Sequence, residues 1–424
     1  MQFIDLKKQY SLVENIVNEN IKKVLDSGQY IMGPQITELE NKLAKFVGVK
    51  YCVSCSSGTD ALVMPLMAYN IGVGDAVFVP AFTFFATAES VSIVGATPVF
   101  VDIDSSFNID IEKLEATIIQ TINDNKLKAK AIIAVDLFGL IPDYDRIISI
   151  AKKYNLIVIE DAAQSFGASR NSKKSCSFGD CASTSFFPAK PLGCYGDGGA
   201  IFTNDDELYE KLISIRIHGQ NNDNKYENIR IGMNGRMDTI QAAVLLAKLT
   251  IFDDEISKRQ KVAEMYNELL KNKLTIPVIY DNCISAYAQY TVLAKNSDHR
   301  NSIIAKLKEH NIPTAIYYPI PLHLQKVYSS LEYKIGDMPN SEEFSNRAFS
   351  LPFHPYLTKE EIEIQKKIEV LRKNPYFKNW SDDRIKKLEL PPGMNDWSEV
   401  EKMTQYLDTQ YNWTYTPPNL GDEN

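Results

Sequence analysis

Apolar positions along this chain follow two rhythms. Residues 12–27 (LVENIVNENIKKVLDS) place apolar side chains three and four apart, the spacing of one helix face, and Gly28 ends the run. The stretch QITELENKLAKFVG repeats that spacing and stops at Gly48. Then short apolar runs bounded by turn residues take over, each predicting a buried strand. They are YCVSC, DAVFV at 75–79 ended by Pro80, TPVFVDID at 97–104, AKAIIAVDLFG, Leu156–Ile159 running into Glu160 and Asp161, and Ala182–Phe187. Between them lie helical patterns such as IEKLEATIIQTI and IPDYDRIISIAKKY. Strands alternating with helices of about 10–15 residues predict an α/β fold whose mainly parallel sheet is sandwiched by helices.

Beyond Asn204, DDELYEKLISIRIHG predicts a helix, QNNDNKYENIRIG a polar loop, and MNGRMDTIQAAVLLAKL a helical pattern that continues past Tyr266. AYAQYTVLAK then predicts a strand and HRNSIIAKLKEHNI a helix, with SLPFHPYLTKEEIE closing the unit. These patterns predict a large domain over 1–257 and a smaller α/β domain over 258–372. Residues 373–424 hold all three tryptophans, Trp380, Trp397 and Trp413. About 50 residues build only a marginal core, so this tail reads as a short docked extension.

Composition narrows the function. The 424 residues carry a net charge of −8, which argues against a nucleic-acid surface. No apolar stretch of about 18 residues predicts a membrane span, and MQFIDLKKQY has no signal-peptide core, so the expected place is the cytosol. The six cysteines predict reduced thiols. Cys52 and Cys55 form a C-x-x-C, but no second pair completes a zinc site, so no metal centre is expected. The chain also lacks a G-x-G-x-x-G after its first strand, which removes the nicotinamide fingerprint.

The candidate chemistry lies in 156–203. Asp161 ends one predicted strand and Lys190 follows another, which puts both at the sheet edge where α/β proteins bind ligands. Lysine is the side chain that forms Schiff bases. Upstream, Ser-Ser-Gly-Thr between a strand and a helix predicts an anion site, with Ser57 or Thr59 capping the helix.

The segments EDAAQ, SFFPAKPLG and GDGGAI, in this order, resemble the sugar aminotransferases of the DegT/DnrJ/EryC1/StrS family, as do the G-x-N-x-R-x-D-x-x-Q-A-A stretch at 232–243 and the P-x-P-L-H stretch near 320. The resemblance spans roughly residues 1–370. It implies a pyridoxal 5′-phosphate (PLP) enzyme of fold type I in which Lys190 carries the cofactor. Asp161 would pair with the pyridine nitrogen, with Gln164 near the ring and its O3′ and Phe84 stacked on it. Gly58, Thr59, Asp60 and Ser185 would surround the phosphate. Asn234 would reach the phosphate of a neighbouring subunit, so the family likeness implies a homodimer with shared active sites. Arg236, Tyr317, Tyr318 and His323 are the implied substrate residues. Gly235 stands where Ser or Tyr is commoner, and Tyr317 where many 3-keto-uronate enzymes carry His. Retention of Lys190 implies transamination, since members that replace it are dehydratases. The implied reaction moves an amino group from L-glutamate to a nucleotide-linked keto-sugar. A UDP-linked 2-acetamido-3-oxo-hexuronate leads, a 4-keto-6-deoxy sugar is the alternative, and a PLP-binding regulator without turnover is the reading from another class.

Overall fold

The computed structural model describes residues 1–362 except 222, 223 and 225. The extension expected over 373–424, with its three tryptophans, lies outside the described residues. The chain divides into two compact units, Met1–Tyr356 and Leu357–Asn424.

Helix α1 (Leu6–Ser27) begins earlier than its apolar spacing predicts, because the Asp5 side chain accepts a bond from the Lys8 amide at 2.9 Å. Gly28 closes it at a φ of 67°, a conformation that costs glycine nothing. Helix α2 (Pro34–Val47) starts on proline, whose missing N–H is no loss in a first turn.

Strands and helices then alternate: β1 (Tyr51–Cys55), α3 (Gly58–Ala68), β2 (Asp75–Pro80), α4 (Ala86–Ile93), β3 (Thr97–Val101), α5 (Ile111–Asp124), β4 (Lys128–Val135), α6 (Tyr144–Tyr154) and β5 (Ile157–Asp161). A small ribbon, β6 (Ser169–Arg170) and β7 (Lys173–Lys174), precedes β8 (Cys181–Ser185), β9 (Gly199–Thr203) and α7 (Asp206–Ile215). The helical pattern at 233–266 breaks into α8 (Thr239–Lys248) and α9 (Phe252–Leu270). Last come β10 (Cys283–Ile284), β11 (Tyr290–Leu293), α10 (Ser297–Glu309), α11 (Pro339–Arg347) and β12 (Ala348–Leu351).

The central sheet has seven strands in the order β1-β9-β8-β5-β4-β2-β3. It is parallel from β8 to β3, and β9 runs antiparallel to both its neighbours. Side chains alternate between its faces as the pleat requires. Val77, Val79, Ile133 and Ile159 join the core under α3, α4 and α7, while Phe78, Ile132 and Val158 join the core under α5 and α6. A third core packs α2 and α8 on Phe166, Phe186 and Phe202.

The same alternation disperses the C-x-x-C. Cys52 enters the α2 core and Cys55 the α3 core, on opposite faces of β1. No helix among the described residues is long and apolar enough to cross a membrane. Because β11 and β12 form a sheet of their own, we propose that the first unit still divides functionally near residue 257, inside α9.

Candidate active site

The carboxyl ends of β5 and β8 carry the reactive groups. Asp161, the last residue of β5, is 4% exposed. Its Oδ2 accepts from Thr87 Oγ1 at 2.8 Å and its Oδ1 from the Ala163 amide at 3.2 Å. Burial raises its pKa, and those two bonds and the charge of Lys190 oppose the rise.

Past β8 the chain folds into a tight turn. The Lys190 amide donates to the Phe187 carbonyl at 2.8 Å, and the Cys194 amide to the Phe186 carbonyl at 2.8 Å. Lys190 thus stands on a loop whose two ends are tied together. The residue keeps some surface open, yet its ammonium end lies deep enough for burial to pull its pKa down, against the pull of Asp161. Among the described residues Lys190 makes no ion pair. A lysine so placed holds more neutral amine at neutral pH than an exposed one, which suits a nucleophile.

A second wall joins Gln164, Tyr318 and Phe84. Gln164 Oε1 accepts from the Phe138 amide at 2.7 Å, and its Nε2 donates to the Tyr318 hydroxyl at 3.1 Å. Phe84 lies 6.3 Å from Tyr318, ring to ring, and is 55% exposed, whereas Phe82 is wholly buried core. Phe84 therefore offers a free aromatic face. Tyr317 is half-buried between Tyr318 and Phe3.

The helix start at α3 makes an anion cradle. Ser57 caps it, its Oγ accepting from the Asp60 amide at 3.1 Å, and its carbonyl accepts from the Ala61 amide at 3.0 Å. Gly58 and Thr59 hold the orphan N–H groups that every helix start leaves. Asp60 accepts from Ser56 Oγ, which fixes the turn rather than opening toward an anion. Ser185, at the end of β8, closes the cradle, since a Cβ on Gly58 would meet Ser185 Cβ at 2.6 Å. Gly58→Ala is therefore expected to push α3 off Ser185 and weaken PLP binding about 10-fold or more. Fluorescence titration of the variant with PLP checks this.

The segment 233–238 lies against this turn, with the Gly235 carbonyl accepting from the Ser56 amide at 3.0 Å. Asn234 is exposed there. Arg236 is half-buried, forms no ion pair among the described residues, and its buried Nε has no partner. His323 lies elsewhere. It is buried, with Nε2 3.1 Å from Glu342 Oε1 and its ring edge-on to Tyr333, and no contact joins it to Asp161, Gln164 or Lys190.

Three residues that the sequence pattern did not single out also shape the site. Thr87 orients Asp161. Asp136 follows β4 and accepts from Tyr144 at 2.9 Å and from Ser165 at 2.6 Å. Glu160 accepts from the Cys176 and Phe178 amides at 2.7 and 2.9 Å. Burial lifts Asp136 to about 7 and pushes Glu160 up as well, the more so because Asp136 faces it. Through Ser165, Asp136 ties down the loop that carries Gln164. Asp136 directly follows its strand, one step beyond where Asp161 ends its own, a placement legible in the sequence.

The donor set fits PLP: an amine for the aldehyde, a buried acid for the ring nitrogen, a free aromatic face, and a cradle of amides closed by Ser185. Comparison with known proteins agrees. A model of the DegT/DnrJ/EryC1/StrS aminotransferase family matches residues 12–369. The UDP-2-acetamido-2-deoxy-3-oxo-D-glucuronate aminotransferase of Pseudomonas aeruginosa is 50% identical over 366 residues, covering 86% of this chain and 98% of that protein. The crystal structure of a DegT DnrJ EryC1 StrS aminotransferase from Brucella abortus superposes with a TM-score of 0.83 at 50% identity, covering 86% of this chain and 96% of that one. NtdA from Bacillus subtilis with bound cofactor PMP gives a TM-score of 0.78 at 29% identity, covering 86% and 83%.

Proposed function

The chain belongs to the DegT/DnrJ/EryC1/StrS aminotransferase family and is a PLP-dependent aminotransferase, and from that premise we propose that it moves an amino group from L-glutamate to C3 of a UDP-linked 2-acetamido-3-oxo-hexuronate. The observation that carries the reading is Lys190, without an ion pair among the described residues, near the buried Asp161 at the carboxyl edge of the sheet.

When bound, PLP serves as an electron sink that makes a Cα–H bond labile. Lys190 would hold the cofactor through its Nζ. When that amine is free, Lys190 Nζ would serve as the base for the donor's Cα proton and as the acid that gives a proton to the sugar carbon receiving nitrogen. Asp161 holds a proton at the ring nitrogen, with Thr87 and Ala163 fixing its two oxygens. Gly58, Thr59 and Ser185 would hold the phosphate, and Phe84 would cover a ring face. Gln164, braced by Phe138 and Tyr318, orients the ring's edge.

The uronate assignment draws on Arg236, whose planar fork is free to meet a carboxylate with two parallel bonds. Arg236→Lys keeps the charge and loses the fork. KM for the uronate is expected to rise about 10-fold with kcat nearly unchanged. Steady-state kinetics checks this, and an unchanged KM contradicts the contact. A 4-keto-6-deoxy substrate, having no carboxylate, would be indifferent to that change. The retained Lys190, Asp161 and Gln164 disfavour a regulator without turnover.

We also propose a homodimer with shared sites. Ile229 and Ile231 expose 51% and 84% of their surfaces close to Asn234, as an uncovered subunit contact would. Asn234 then reaches the phosphate held by the other protomer.

A further inference from the structure

Lys248 is a fully buried lysine outside the set described above. It ends α8, and its Nζ donates to the Gly193 carbonyl at 2.6 Å. The same ammonium lies 4.5 Å from the centre of the Tyr195 ring. It forms no ion pair among the described residues. An apolar residue of equal volume would fill this place without desolvating a charge, so packing alone does not explain a lysine.

What the ammonium touches is the return limb of the Lys190 turn. Gly193 is wedged there, for a Cβ on it would lie 2.5 Å from the Pro188 carbonyl oxygen and 2.6 Å from that of Phe187. The next residue, Cys194, closes the turn on the Phe186 carbonyl. Helix α8 grips the limb a second time through Gln241, whose Oε1 accepts from the Tyr195 amide at 2.9 Å. One helix therefore holds Gly193 and Tyr195, while Lys190 stands three residues before the first of them.

We propose that Lys248 is a positioning residue for Lys190: bonded to the Gly193 carbonyl and set against the Tyr195 ring, it fixes the 187–195 turn that aims the reactive amine. This rests on the reading of Lys190 as the lysine that carries PLP.

The clamp is pH-dependent. Burial pulls Lys248 down to about 8, with Glu255 and Cys194 opposing the shift. Below that pH the ammonium makes a charge-assisted bond to Gly193. Above it a neutral amine makes a weaker one. Other titratable or charged groups lie around it. Cys194 and Tyr195 belong to the loop, and burial raises them to about 11 and about 12. Glu255 and Arg259 come from α9, with Tyr356 on Glu255, and Tyr10 of α1 packs on Tyr195. Burial lowers Arg259 from a value far above 8. Neither Cys194 nor Tyr195 changes charge near pH 8, so neither accounts for an inflection there that a change at 248 removes.

The test compares Lys248→Met and Lys248→Arg with the wild type, both as PLP-loaded enzyme and as protein stripped of PLP. In the stripped protein, hydrogen exchange of amides 187–196 is expected to speed up in Lys248→Met, with the β4 and β5 amides unchanged. In the loaded enzyme, kcat at pH 7 is expected to fall roughly 10- to 100-fold in Lys248→Met with KM little changed. The decline of kcat as pH rises through about 8 should vanish in Lys248→Met and in Lys248→Arg, whose guanidinium stays charged, and Arg should restore most of the rate at pH 7. Unchanged exchange and an unchanged pH profile in a folded Lys248→Met overturn the proposal. Should Lys248→Met fail to fold, Lys248→Arg decides: an inflection that persists near pH 8 overturns it. Failure of the underlying reading shows differently, as a Lys190→Ala protein that keeps the yellow absorbance of bound PLP.

Discussion

Lys190→Ala is expected to abolish the yellow absorbance of bound PLP and to lower transamination by about 10⁴-fold or more. Two functions leave with one side chain. The amine that holds the cofactor is lost, and so is the base that moves the proton to and from carbon. Among the described residues Lys190 is the cation that acts on Asp161, so no neighbour there substitutes for it. The fold should survive. Among the described residues Lys190 makes no ion pair, and its amide bond to Phe187 needs no side chain. Turnover and the visible spectrum of the variant check the expectation, with thermal unfolding as the control for folding. A variant that keeps both turnover and colour would remove Lys190 from the chemistry.

Asp161→Asn carries the second large effect. Asparagine keeps the shape: its one oxygen can still accept from the Ala163 amide, which now meets Asp161 at 3.2 Å, while its amide nitrogen would donate to the Thr87 hydroxyl that now donates to Asp161 at 2.8 Å. What it loses is the negative charge that holds a proton on the ring nitrogen. Removing one partner of a buried charge pair costs about 3–5 kcal/mol. That converts to roughly a hundred- to several-thousand-fold weaker PLP binding, and turnover should fall by at least as much. Affinity measured by titration with PLP, beside single-turnover rates, checks both. A loss of turnover without loss of affinity would mean that Asp161 acts on the ring's electronics alone.

Much of this was open to sequence reasoning for a physical reason. Strands of a parallel sheet are buried on both faces, so β2, β4 and β5 appear as unbroken apolar runs that polar or helical stretches separate. Asp161, Lys190 and the Ser57–Thr59 turn stood out because they punctuate those runs. Direction is another matter. The run GGAIFT gives no sign that β9 opposes its neighbours, since burial alone shapes its composition. The break between α8 and α9 was hidden because apolar spacing continues across residues 249–251. The start of α1 was hidden because its cap is a single aspartate.

Within the site, the groups that escaped notice act through tertiary contacts. Thr87 reads as an ordinary helix residue until β5 delivers Asp161 to it. Lys248 reads as one more charge within a long helical pattern until the Lys190 turn folds over it. His323, set among prolines, gives no hint that Glu342 lies beside it. Position in sequence marks residues at strand ends well, because the ends of a sheet gather at one edge. It marks poorly the side chains that brace them from packed helices.

The most direct test of the account is the visible spectrum of the PLP-loaded protein as L-glutamate, and then other amino donors, are added without any sugar. Glutamate is expected to remove the yellow band with one 2-oxoglutarate appearing per site, and added 2-oxoglutarate to restore the band. A yellow protein whose band ignores every donor would contradict transamination, whatever sugar it binds.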